Sequence, residues 1–211
     1  MKKLFFLFFI VLTFSSAYSQ VRIGVQVSPI FTVNRVTSFS DSLALNPSGA
    51  RLRLMAGPIF DFFLKENYYF STGLLYAPKV VGFDASINRS NLEFDETYIQ
   101  QYIRVPITFR LYTNEISLDN RIYVQFGLTA DFNIYEEAKS RDNFLVQDFT
   151  LVDGTAVIGL GLEHRIGYQT TIFGGFSYSR GLVNTVSDHV NIDDDIKSRN
   201  DIFAVDFGIF F

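Results

Sequence analysis

The fold class predicted for this chain is all-β: an eight-stranded antiparallel up-and-down transmembrane β-barrel. Three observations predict it. Apolar and polar residues alternate with period two along eight segments. The connections between those segments alternate between short and long, as in barrels with turns on one side of a membrane and loops on the other. Aromatic residues make up 17% of the chain, with 24 Phe and 11 Tyr. Beyond the first residues, no stretch approaches the ~20 apolar residues of a spanning helix.

The first element is not part of the fold. In "MKKLFFLFFIVLTFSSAYSQ", two lysines precede an apolar run from Leu4 to Phe14, and Ala17 and Ser19 precede a cleavage point. This is the layout of a secretory signal peptide over residues 1–19, too short to span a membrane, with Gln20 opening a barrel domain over 20–211. Loss of Lys2 and Lys3 takes the formal charge from -4 to about -6 by subtraction. An exported chain with no cysteine excludes disulfide scaffolds and thiolate sites. Mild acidity without a Lys/Arg stripe excludes nucleic acid as a partner.

The strands follow in order. "VRIGVQVS" sets Val21, Ile23, Val25 and Val27 on one face, and "RLRLMAGPIFDFFL" sets Leu52, Leu54, Ala56, Phe60, Phe62 and Leu64 together. Tyr69–Pro78 forms a weaker third segment. "YIQQYIRVPITFRLY" aligns Ile103, Val105, Ile107, Phe109 and Leu111, and "IYVQFGLTADFNIY" aligns Val124, Phe126, Leu128, Ala130, Phe132 and Ile134. "AVIGLGLEHR" aligns Ala156, Ile158, Leu160 and Leu162, Thr171–Leu182 is weaker, and "FAVDFGIFF" ends the chain. Short links lie at 65–67, 113–120 and 167–170, and long polar segments at 32–50, 79–97, 136–153 and 183–200.

Periodicity does not say which face is outside, because a soluble barrel points its apolar set inward and a membrane barrel points it at lipid. Charges decide it. Arg53, Asp61, Arg104, Arg110, Asp131, Glu163 and Asp206 all fall on the polar parity, where both signs can neutralise one another inside a closed lumen. Tyr68, Tyr69, Tyr76, Tyr112, Tyr135 and Tyr178 gather near segment ends, where interfacial girdles form. A barrel this narrow is filled by side chains, so the interior is expected to be plugged.

Enzyme and metal signals are weak. Ser187 and His189 stand two apart in a polar segment with no elbow to fix them, and His164 falls on the lipid parity as an interfacial anchor. "GFSYS" at 175–179 misses a nucleophile elbow, since Ser179 stands where the second Gly belongs. "DDD" at 193–195 lacks the spacing of a calcium loop. Gly159 and Gly161 precede no helix, which removes a dinucleotide reading, and are expected to make room for Tyr102 or Arg104. No catalytic residue, cofactor or metal ligand is therefore expected. Arg180, a positive charge on the lipid parity, is a candidate lipopolysaccharide contact, and equally a side chain that simply snorkels to the interface.

Several pieces in this order, "GLLYAPKVVGF" (73–83), "QYIRVPITFRLY" (101–112), "YVQFGLTADF" (123–132), "GLGLEHR" (159–165) and "YSRGLVN" (178–184), resemble the PorT-like outer-membrane β-barrel family of Bacteroidota. The resemblance covers essentially the whole mature chain. It implies an eight-stranded barrel in the outer membrane of a Gram-negative bacterium, and its eponymous member serves type IX secretion. The function expected is a small non-enzymatic barrel with a filled lumen and long extracellular loops, binding a partner or supporting envelope or secretion processes. The alternative is a narrow channel or a lipid-modifying enzyme. Expected partners are outer-membrane lipid and lipopolysaccharide, the barrel assembly machinery, and a protein at the loops or in type IX secretion.

The terminal strand carries two tasks on one parity. Phe207, Ile209 and Phe211 face lipid, and an aromatic last residue with apolar residues two and four before it is similar to the signal read by the assembly machinery. Phe211→Asp is expected to reduce assembled barrel in cells far more than it lowers the stability of protein refolded in detergent. Equal losses in the two measurements would reduce Phe211 to a simple anchor.

Overall fold

The computed structural model describes residues 21–38, 43–47, 51–87, 92–138, 146–184, 186–189 and 196–211. The expected signal peptide and the acidic run 193–195 lie outside them. The described residues form twelve strands, in chain order β1 (Val21–Ser38), β2 (Leu43–Pro47), β3 (Arg51–Lys65), β4 (Tyr68–Gly73), β5 (Leu75–Ile87), β6 (Leu92–Tyr112), β7 (Asn120–Ala138), β8 (Val146–Phe149), β9 (Val152–Arg165), β10 (Thr171–Gly181), β11 (Val186–His189) and β12 (Ile196–Phe210).

β4 and β5 form a single wall strand interrupted at Leu74, whose N–H donates to Pro58 O at 3.0 Å. With that pair counted once, the wall is β1, β3, β4/β5, β6, β7, β9, β10 and β12, eight strands, each antiparallel to its neighbours. Closure is made by the two ends of the chain. Val25 lies opposite Ile209 and Val27 opposite Phe207, while the other edge of β1 pairs with β3. Phe211 N donates to Ile23 O at 2.9 Å, so even the last residue is tied into the seam.

The turns on the side of the termini are short. β3 reverses into β4 through Glu66 and Asn67, and Asn67 takes φ 66°, a left-handed conformation that Asn tolerates better than most residues. On the other side the strands run on into every one of the four expected long loops. β1 reaches Ser38, β5 reaches Ile87, β6 begins at Leu92, β7 reaches Ala138 and β12 begins at Ile196. Above the hydrocarbon both faces of a strand meet water, so the period-two signal vanishes while the pairing continues. The 21 residues of β6 are about twice the 9–11 that a membrane crossing needs. There β2 pairs with β5, and β8 pairs with β11, joining two of the connections.

The two faces of the wall differ as period two requires. Val25, Leu54, Phe126, Ile158, Leu160 and Phe207 are exposed on the outside, an apolar belt suited to hydrocarbon. Phe211 is 62% exposed and Phe210 0%, so the last two residues point to opposite sides.

The girdle expectation needs correction at three tyrosines. Tyr68 and Tyr135 are exposed, the latter turned out by a bulge opposite Gln101 and Tyr102. Tyr69 and Tyr112 instead point inward and pack on each other at 5.3 Å between ring centroids. Tyr76 lies outside but partway up the wall, between Ala56 and Ile103.

Inside, rings and glycines interlock. A Cβ on Gly161 would lie 2.4 Å from the ring of Tyr123, one on Gly208 2.3 Å from Phe173, and one on Gly24 2.6 Å from Phe210. Each ring packs closely against the bare backbone of a neighbouring strand. Gly161 thus makes room for Tyr123, not for Tyr102 or Arg104, and Gly159 abuts Ser177. Gly161→Ala is expected to cost about 1–3 kcal/mol by overpacking, measured by urea unfolding of refolded protein. Gly167→Ala, whose Cβ meets its nearest atom at 3.5 Å, should be nearly neutral, and equal losses for the two would refute the interlock.

Candidate functional site

The lumen gathers most of the chemistry that the described residues contain. Its lower third, beside the chain termini, is closed by rings on β4, β6, β7, β10 and β12. Tyr69, Tyr112, Tyr123, Phe173 and Phe210 run round the interior with centroids 5.3, 5.7, 6.2 and 5.3 Å apart. Two guanidiniums fill the middle. Arg22 lies 4.3 Å from the Tyr69 centroid and 4.6 Å from that of Phe210, and Arg110 lies 5.0 Å from that of Phe173. Negative ring faces attract these cations.

The carboxylates stand between them. Arg22 donates to Asp61 at 2.9 Å, to both oxygens of Glu163 at 3.1 Å and to the Tyr112 hydroxyl at 2.8 Å. Arg121 also pairs with Glu163. Arg110 approaches Asp61 at 3.5 Å and donates through Nε to Gln125 at 2.8 Å. Asp206, one level higher, accepts from Ser28 at 2.6 Å and from Gln26 at 3.0 Å.

Toward the loop side a second cluster forms. Arg104 holds Asp131 by two parallel bonds, Nε to Oδ1 at 2.8 Å and Nη2 to Oδ2 at 2.7 Å, the geometry that a guanidinium fork favours. Lys79 donates to Asp131 at 2.7 Å and to Asp153 at 3.1 Å, with its ammonium 4.2 Å from the Tyr102 centroid. Arg104 also reaches Ser179 at 3.3 Å. Lys79, Asp131 and Asp153 are fully buried. Between the two clusters lies a cavity of about 30 Å³, lined by Gln26, Arg104, Arg110, Gln125 and Asp206 among others, enough for about one water molecule.

Six of the seven charges expected inside, Asp61, Arg104, Arg110, Asp131, Glu163 and Asp206, are buried there. Arg53 differs: it makes no ion pair among the described residues and donates only to its neighbour's carbonyl, Leu52 O, at 3.3 Å. Its place is taken by Arg22, Lys79, Arg121 and Asp153. Arg22 was visible on the polar parity of the first strand. Lys79 and Asp153 fell in segments read as loops, which hid them.

The other candidates are placed as follows. His164 lies on the outer parity, its Nδ1 3.0 Å from Asn120 Oδ1. Ser187 and His189 are on β11. Arg180 is exposed on the outer face of β10, and Phe207, Ile209 and Phe211 line the outer side of the closing seam. Among the described residues, no group of three or more His, Cys, Asp and Glu side chains could hold a metal.

Comparison with known families matches residues 14–187 to the outer membrane protein beta-barrel domain. No curated protein matches the chain. Among solved structures it is similar to the outer membrane protein AlkL in lipid bilayers, with 11% identity, TM-score 0.55, and 93% of this chain and 92% of the other covered. It is similar to OprG from Pseudomonas aeruginosa, with 10% identity, TM-score 0.53 and coverage of 90% and 96%. It is also similar to the outer membrane protease OmpT from Escherichia coli, with 10% identity, TM-score 0.50 and coverage of 93% and 97%. At such identities these likenesses show the fold alone.

Arg104→Leu leaves Asp131 and Asp153 to share Lys79. It is expected to destabilise the refolded barrel by about 3–5 kcal/mol, because a buried charge loses its partner. Arg53→Leu should change stability by less than about 0.5 kcal/mol. Similar urea midpoints for the two variants would show that the buried pairs do not hold the interior.

Proposed function

This chain belongs to the outer membrane protein beta-barrel domain family, and on that premise we propose that it is a non-enzymatic, non-conducting barrel that binds a partner at its extracellular end. It resides in the outer membrane of a Gram-negative bacterium. The observation that carries the reading is the filled interior: paired charges and stacked rings leave a void of about 30 Å³ at mid-height, too small for a solute larger than water. What remains to do work is the loop end. There the wall strands project beyond the membrane, and β8 pairs with β11 across two connections, an arrangement that supports a presented surface. The PorT-like resemblance makes envelope support and type IX secretion the processes in which to seek the partner.

Reconstituted in planar bilayers, the purified protein is expected to pass no steady ion current. Mild detergent extraction from cells should retain a partner that is lost when residues 146–149 and 186–189 are replaced by Gly/Ser turns, with barrel assembly unchanged. A sustained current in the reconstituted protein would favour the narrow-channel alternative.

A further inference from the structure

On the outer face, the apolar belt ends abruptly near the loop side. From Ile23 to Val33 the outward residues of β1 cover about 33 Å of strand, or about 25 Å of height at a tilt near 40°. That is the full thickness of a barrel's apolar band. The next outward residue is Arg35. At the same level β12 carries Asp201 and Arg199, and β10 carries Tyr178 and Arg180. Three guanidiniums on three adjacent strands therefore stand where hydrocarbon gives way to headgroups.

Asp201, the one carboxylate among the described residues of this face, is already occupied. It accepts from Arg35 Nη2 at 2.9 Å, from the Tyr178 hydroxyl at 3.0 Å and from Gly181 N at 3.2 Å, and its second oxygen forms an ion-pair contact with Arg35 Nε at 2.8 Å. These bonds use both oxygens, which together accept about four hydrogen bonds. Arg180 and Arg199 are exposed and make no ion pair among the described residues. Arg199 also lies directly opposite Arg35 in the β1–β12 ladder, a like-charge pairing that is unfavourable unless an anion bridges it.

A second feature adjoins these arginines. An apolar groove of about 450 Å³ is lined by Phe31, Ile158, Leu160, Phe176, Tyr178 and Phe203 among others. Tyr178 and Phe203 stack at 4.9 Å and belong to both features, since Tyr178 also donates to Asp201. Cationic groups at headgroup height above an apolar groove match an amphiphile, its anionic head at the arginines and a chain below.

We propose that this face of β1, β12 and β10 binds a phosphorylated, acylated glycolipid of the outer leaflet, of the lipid A class. Its phosphates lie at Arg180 and Arg199 and one acyl chain lies in the groove. Arg180 lies opposite Asp201 and Arg199 two residues further along the adjacent strand, a diagonal of about 8 Å, wider than one phosphate and suited to a headgroup bearing two. Arg180 is thus one member of a built site that also needs Arg199 and the Arg35–Asp201 pair.

Native mass spectrometry of the detergent-purified mature protein, titrated with bis-phosphorylated lipid A, tests this directly. Arg180→Gln with Arg199→Gln is expected to weaken retention about tenfold or more, since removing one charge-assisted hydrogen bond to phosphate costs roughly that factor. Dephosphorylated lipid A should bind the wild-type protein as weakly. Val205→Trp, which fills the groove from the lipid side, should also lower retention. Unboiled gel migration reports that each variant remains a folded barrel. Equal retention by wild type and the arginine double variant would overturn the site, as would phosphatidylglycerol binding as tightly as lipid A. Full retention by Val205→Trp would overturn the acyl-chain placement.

Discussion

Hydrocarbon offers no partner to a backbone N–H or C=O, and a sheet that crosses it must therefore have no edge. Most of this structure follows from that one condition. The first and last strands pair along thirteen positions, and Phe211 donates its own N–H to Ile23. A chain ending a few residues earlier would leave the periplasmic end of β1 without its partner. The same condition explains why pairing continues where the membrane ends: β5, β6 and β7 stay hydrogen-bonded to one another well above the apolar belt.

Closure at eight strands makes the interior narrow, and a narrow interior must be filled. Period two makes the filling polar, since apolar residues are committed to the outside. A buried charge without a partner costs several kcal/mol, so the lumen carries Arg22, Lys79, Arg104, Arg110 and Arg121 against Asp61, Asp131, Asp153, Glu163 and Asp206. Rings close the remaining volume at the lower end, and glycines on neighbouring strands let them approach the backbone. Charge pairing and ring stacking meet at Arg22, which bonds to Asp61, Glu163 and Tyr112 while lying against Tyr69 and Phe210. The result is an interior filled by paired charges and packed rings, which is what the proposal of a surface-presenting barrel rests on.

The outside of the wall is less uniform than an apolar belt requires. Its upper boundary on β1, β12 and β10 concentrates positive charge around Asp201, whereas the lower boundary places Phe211 and the exposed Tyr68 at the interface. Each rim thus meets its own leaflet with different chemistry. The extensions of β1, β5, β6, β7 and β12 rise above this upper rim, and β8 pairs with β11.

Period two by itself determined which side of each wall strand faces lipid. Ile23, Leu54, Phe126, Ile158 and Phe207 lie outside, and Asp61, Arg104, Asp131 and Glu163 lie inside, because a pleated strand sends alternate side chains to opposite faces. The strand count and the side of the termini were legible for the same reason. Alternation fades where both faces meet water, so the extensions of β1, β5, β6, β7 and β12 were not legible, and Lys79 and Asp153 were lost with them. Parity also says nothing of who meets whom across the lumen. Arg53 shares the parity of Arg104 yet joins no carboxylate among the described residues, while Arg22 reaches across the barrel to Glu163, 141 residues away. Those partnerships, the packing of rings against Gly161 and Gly208, and the gathering of Arg35, Arg180 and Arg199 depend on closure and register. Only the tertiary structure decided them, because contact across a barrel is set by which strands become neighbours and at what height.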